Sequence, residues 1–257
     1  MKNLSSWWFW LAIPILGGCC TGIGKVEAPK SEDENNIQIV EYIEESTVAL
    51  VENMEGEKQA YCTGVWVSEH RILTANHCVE TIGRIKALIP DEQNYDATGD
   101  IIHFINHEEA VGRDSIPAKS PSWVGIVEVA DNIHDLAVLY VEERTSHHSI
   151  AHIANENVKD GELLHIMGHT AGMMWSYSRG YVSSTRVMEG PSAGDHDISS
   201  KVLQVSSPAW MGNSGGGAFD AEGHLVGICS WITRQAPNVG FFIHHDELIK
   251  FLNKLAK

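Results

Sequence analysis

From residue 47 onward the chain alternates short apolar runs with Gly, Asn, Asp and Pro. The runs cover residues 47–51, 64–67, 71–74, 84–89, 124–129 and 136–141, then 163–167, 180–184, 202–205, 218–219, 225–231 and 240–243. Val, Ile and Trp, which fill them, pack well on a pleated surface, and the breakers between them supply turns. Many short strands in succession predict an all-β barrel or sandwich. One stretch departs from this pattern. Between Asp246 and Leu255, apolar residues fall at Leu248, Ile249, Phe251, Leu252 and Leu255 behind an acidic first turn. That spacing predicts a terminal amphipathic helix packed on the barrel. Residues 91–122 carry few strand signals, which predicts long loops or a hairpin insertion.

The N-terminus reads differently. Lys2 supplies a positive charge, and residues 7–16 form an apolar run of ten. Ten residues are too few to cross a bilayer and fit the apolar region of an export signal. The run closes in Leu16-Gly17-Gly18-Cys19, which resembles the lipobox of bacterial lipoproteins. That resemblance implies cleavage before Cys19 and a lipid on its thiol. An ordinary export signal cut near Gly18, or an uncleaved anchor, is the alternative. Residues 21–45 are polar and acidic, with Glu32-Asp33-Glu34-Asn35-Asn36 at their centre. They read as a solvated tether between membrane and domain.

Composition narrows the function. The 257 residues are 43% hydrophobic, enough for a sizeable core. Lys and Arg number 18 against 34 Asp and Glu, a net charge of −16. With no basic stripe to displace counterions, nucleic acid is excluded as a partner. Export also changes the cysteine count, leaving Cys62, Cys78 and Cys229 after the signal region. An oxidising compartment allows a Cys62–Cys78 disulfide closing a short loop around His77, while Cys229, in an apolar run, reads as a small buried residue.

The candidate chemistry lies in three segments. Ser214 sits among glycines in Gly212-Asn213-Ser214-Gly215-Gly216, an open backbone that exposes a hydroxyl and leaves N–H groups to face a negative charge. A hydroxyl nucleophile needs a base, and the base needs an orienting acceptor. His77, in Thr74-Ala75-Asn76-His77-Cys78, is the candidate base. Asp135, directly before the apolar Leu136-Ala137-Val138-Leu139, is the candidate acceptor; Asp131 lies four residues away as its competitor.

In this order the three segments resemble the chymotrypsin/trypsin clan of serine proteases, over about residues 46–256. The resemblance implies two six-stranded antiparallel β-barrels with the site between them and a C-terminal α-helix. It implies a serine endopeptidase with His77, Asp135 and Ser214 as triad, acting on protein or peptide substrates. By the same resemblance, the N–H groups of Gly212 and Ser214 form the oxyanion hole, and Cys62–Cys78 matches the family's disulfide around the base. Ser230 and Trp231 correspond to the strand that carries substrate backbone. Pro208, Ala209 and Ile232 line a side-chain pocket with no charge in it, which points to a small or medium apolar residue before the scissile bond.

Asn213 departs from the trypsin pattern, where an Asp pairs with a newly freed N-terminus. An amide cannot form that ion pair, so no proteolytic activation switch of that kind is expected. The pentapeptide, with Asn238-Val239-Gly240-Phe241, is similar instead to the HtrA-like and bacterial trypsin-like branch, with no PDZ domain expected. The expected organisation is a signal peptide at 1–18, an acidic tether at 19–45 and a peptidase domain at 46–257. Within the last, the barrels span roughly 46–145 and 146–245, and the helix spans 246–256. The protein would be exported and held at a membrane by lipid on Cys19, with release by clipping of the tether left open. The alternative function is a non-catalytic trypsin-fold binding module on the cell surface. Fourteen histidines, some spaced as His103/His107 and His165/His169, raise a metal reading. The second pair falls in a strand-to-turn segment, where helical ligand geometry does not apply, and no HExxH motif is present. No metal site and no cofactor are expected.

Overall fold

The computed structural model describes residues 32–80, 98–110, 115–143, 148–191, 197–233 and 236–255. Its strands close into two six-stranded antiparallel barrels. The first is built from β1 (Thr47–Met54), β2 (Glu57–Ser68), β3 (Arg71–Thr74), β4 (Ile101–Asn106), β5 (Trp123–Asp131) and β6 (Leu136–Tyr140), in the order β1-β2-β3-β6-β5-β4. The second is built from β7 (Leu163–Gly168), β8 (Ser176–Pro191), β9 (Asp197–Ser206), β10 (Gly217–Phe219), β11 (Leu225–Thr233) and β12 (Ala236–His244), in the order β10-β11-β12-β9-β8-β7. Closure pairs every strand with two neighbours, while the β8–β9 ladder continues beyond the barrel to Pro191–Asp197.

Alternation of side chains fills each barrel. Val48, Leu50, Trp66, Ile72, Phe104 and Leu139 are buried together inside the first. Leu164, Ile166, Val205, Ala218, Val226 and Phe242 are buried together inside the second. A third cluster joins the two: Val65, Leu73 and Val138 from one barrel meet Met167, Phe219 and Ile243 from the other. The terminal helix, α4 (His245–Leu252), adds Leu248 and Phe251 to this joint, as its spacing predicts.

Two expectations are corrected. Residues 32–45, read as part of a solvated tether, form a helix, α1 (Glu32–Ser46), whose Ile39 and Ile43 are buried in the joint between the barrels. Two isoleucines one helical turn apart bury an apolar stripe despite the acidic run before them. Tyr42 adds a bond from its hydroxyl to the carbonyl of Ile150 at 2.6 Å, strapping the connection between barrels. Second, residues 91–122 contribute a full barrel strand. β4 pairs with β1 through Val48–Asn106 and with β5 through Ile101–Ile126, and is followed by the short α3 (His107–Ala110). The apolar run at 84–89 and the signal region, with Cys19, lie outside the described residues.

Candidate active site

The site lies where loops from both barrels meet. The short α2 (Asn76–Glu80) follows β3 directly and carries His77 and Cys78. A disulfide joins Cys78 to Cys62 on β2, with the Cα atoms 6.0 Å apart, so the turn that carries His77 is bonded to the barrel wall. Asp135 closes the hairpin between β5 and β6, whose register pairs Asp131 with Leu136. The last residue of this loop is left-handed, with φ 54° at Asp135. Asp tolerates that conformation better than most residues. Asp131, the competing carboxylate, is occupied elsewhere: it accepts from the backbone N–H of His134 in the same loop at 3.1 Å and from Lys254 beyond α4 at 2.9 Å.

Asp135 and His77 are brought together, both buried. One carboxylate oxygen accepts the backbone N–H of His77 at 2.9 Å, and the other lies 2.8 Å from the ring Nδ1. Ser230, on β11, donates its hydroxyl to that second oxygen. A buried carboxylate is tolerable only with such partners. Cys229 beside it stays a neutral thiol, because burial, reinforced by the Asp135 charge, pushes it up to about 12.

Ser214 belongs to the same wall. Its carbonyl accepts the N–H of Thr63 at 2.8 Å and lies 3.6 Å from the bridged Cys78 sulfur, one residue from His77. Thr63 also donates its hydroxyl to the Gly212 carbonyl at 2.7 Å, and Thr74 donates to the Thr63 carbonyl at 2.7 Å. Gly215, with φ 82°, sits so close that an added Cβ would lie 2.0 Å from the Thr63 oxygen. The two buried threonines therefore fix the Ser214 loop against the first barrel. Their only sequence signal is position: Thr63 beside Cys62, and Thr74 opening the histidine motif.

The backbone before Ser214 has a defined orientation. Residues 210–213 form a turn in which the Asn213 N–H bonds the Trp210 carbonyl at 3.1 Å. Gly212 takes φ 95°, open to glycine alone at that point because its Cβ would meet the His169 carbonyl at 2.1 Å. The Met211 carbonyl accepts from Ala171 N–H at 2.7 Å, and the Asn213 carbonyl accepts from Gly216 N–H at 2.8 Å. In a trans peptide the next N–H points opposite to the carbonyl. The N–H groups of Gly212 and Ser214 thus face away from those partners, and neither has a hydrogen-bond partner among the described residues. Asn213 itself is buried and accepts the Thr170 hydroxyl at 2.7 Å, a neutral bond where the trypsin pattern has an ion pair.

Of the residues read as lining the side-chain pocket, Ala209 is buried and Pro208 is exposed; on the strand read as carrying substrate backbone, Ser230 is buried and Trp231 half-buried. Ala209 lies close under Gly240, whose added Cβ would be 3.3 Å from it. The side chain of Ile232 lies outside the described residues. The histidines weighed as metal ligands part company: the His165 ring bonds Tyr177 at 2.8 Å, whereas His169 Nδ1 accepts the N–H of Trp175 at 2.9 Å. His169 is fully buried, and burial pushes it down to about 4, so it stays neutral.

Comparison with known proteins bears on the fold and the family. The chain is 29% identical over 133 residues to the putative serine protease HhoA of Synechocystis, covering 51% of this chain and 34% of that protein. It therefore spans about a third of that relative's length. Its fold is similar to that of the Rv3671c protease of M. tuberculosis in its active form, with TM-score 0.64, 17% identity and 94% of each chain covered. It is also similar to the serine endoprotease of Yersinia pestis, with TM-score 0.60, 21% identity and coverage of 89% of this chain and 68% of that one. A trypsin-like peptidase domain matches residues 62–228, most of the barrel pair, and the chain belongs to that family.

Proposed function

We propose that the protein is a serine endopeptidase that cleaves protein or peptide substrates through an acyl-enzyme. The bidentate hold of Asp135 on His77, in a wall shared with Ser214, carries this reading. With Nδ1 held by Asp135, Nε2 is the ring nitrogen left to take a proton from Ser214. Ser214 Oγ attacks the scissile carbonyl carbon while His77 Nε2 takes its proton. The carbonyl oxygen becomes negative and is met by the N–H groups of Gly212 and Ser214, donors already oriented before the charge forms. Collapse breaks the C–N bond, and the leaving amine takes the proton from His77. Water then enters by the same route and releases Ser214.

Asn213 supports an enzyme that needs no freed N-terminus, since the Thr170 hydroxyl already holds its side chain. Pro208, Ala209 and Gly240 bring no charge to the side-chain pocket, which favours small or medium apolar residues before the scissile bond. Export and lipid attachment at Cys19 would place the enzyme on the outer side of a membrane.

Cleavage of a peptide library tests both levels. Hydrolysis after small or medium apolar residues, lost in Ser214→Ala, is the expected result. Cleavage after Arg, Lys or Glu would overturn the pocket assignment, and equal cleavage by Ser214→Ala would overturn the mechanism.

A further inference from the structure

The connection between β7 and β8 is strained. Two non-glycine residues in six, Ala171 at φ 52° and Trp175 at φ 51°, are left-handed. For a Trp this is an outlier, and such backbone persists only where its surroundings impose it. Trp175 is gripped on several sides. Its indole N–H donates to the carbonyl of Glu44 in α1 at 3.2 Å. The His169 ring meets it edge-on with centroids 4.7 Å apart, and the His107 ring of α3 lies at 5.2 Å. Its own backbone N–H is taken by His169 Nδ1 at 2.9 Å.

The other end of the loop touches the site. Ala171 N–H holds the Met211 carbonyl, and that bond turns the Gly212 N–H away from the loop. The His169 carbonyl lies where a Gly212 side chain would be, so loop and turn are in close contact. α1 is anchored independently, through Ile39 and Ile43 in the joint between barrels.

We propose that Trp175 is a positioning residue for the oxyanion turn, with α1 as its fixed support. α1 holds the indole, the indole holds the strained loop, and the loop holds the Met211–Gly212 peptide in its donor orientation. This rests on the serine peptidase reading and adds a consequence to it. Clipping the chain before residue 32 leaves the site intact, whereas separating α1 from the first barrel releases the turn.

The test uses the full chain and a fluorophosphonate probe, measuring both the rate of labelling and its end-point per chain. Trp175→Phe keeps a ring but loses the bond to Glu44, and should label about threefold more slowly. Trp175→Ala loses both and should label at least tenfold more slowly. In each, the end-point stays at one label per chain, because the molecules are folded and only the oxyanion donors are misplaced. A merely structural role would lower the end-point and leave the rate of the remaining fraction unchanged; that result overturns the proposal, as does a wild-type rate in the folded variants. If Trp175→Ala fails to fold, the Phe variant decides alone. Wild type that takes no label at Ser214 would instead defeat the peptidase reading itself.

Discussion

Asp135 holds His77 by both backbone and ring: one oxygen accepts the main-chain N–H at 2.9 Å and the other faces Nδ1 at 2.8 Å. The same carboxylate therefore sets where the histidine sits and which of its nitrogens carries the proton. Asp135→Asn keeps an oxygen for the backbone bond but can present an amide N–H to the ring, favouring the wrong tautomer. Turnover should fall by ~10⁴ with little loss of fold. Steady-state kinetics beside a melting curve check this; a fall below tenfold would remove Asp135 from the mechanism.

Ser230 donates to the Asp135 oxygen that faces the ring. Hydrogen bonds to charged groups are worth about 1.5–3 kcal/mol, so Ser230→Ala should lower kcat by roughly ten- to a hundredfold. KM should stay close to the wild-type value, because the hydroxyl acts through Asp135. A change confined to KM would assign Ser230 to substrate binding alone.

Much of this site was legible in sequence, for physical reasons that differ by residue. Nucleophile loops need glycine where backbone comes close, and Gly212 and Gly215 meet carbonyls at 2.1 and 2.0 Å from their missing Cβ atoms. The Val- and Ile-rich runs became strands because both barrels bury one face of each. α1 was hidden by its acidic start, although Ile39 and Ile43 stand one turn apart. β4 gives a weak signal because its alternation of exposed and buried residues is short and flanked by polar residues. The strain at Ala171 and Trp175 left no signal, since neither residue favours a left-handed backbone.

Gly212→Ala tests the turn before Ser214. The added methyl would overlap the His169 carbonyl at a φ of 95°, so the turn must move. Losing one oxyanion donor typically costs ~10²–10³ in turnover, and this variant should lose at least that much. Retained activity would mean that the turn is not an oxyanion site.

The disulfide closes a loop with a sequence separation of 16. Loop entropy assigns such a bridge ~3 kcal/mol. Replacing Cys62 and Cys78 together by Ala or Ser should lower the unfolding free energy by about that amount in urea titration. A change under ~0.5 kcal/mol would show that the bridge adds nothing to the barrel wall.

Acid should destabilise the fold through His169, which burial pushes from 6.5 down to about 4. Between these values the unfolded chain binds a proton that the folded chain does not, so stability rises with pH across that window. The contribution is present above pH 6.5 and lost as pH falls towards 4, by order of 3 kcal/mol. His169→Asn keeps an acceptor for the Trp175 N–H without titrating, and should flatten the stability curve in that window. An unchanged curve would clear His169 of the effect.

The most direct measurement is fluorophosphonate labelling of the folded protein, read by intact mass and peptide mapping. The account predicts one adduct per chain, on Ser214, and none on Ser214→Ala. Absence of an adduct on folded wild type, or an adduct elsewhere that persists in Ser214→Ala, would contradict it.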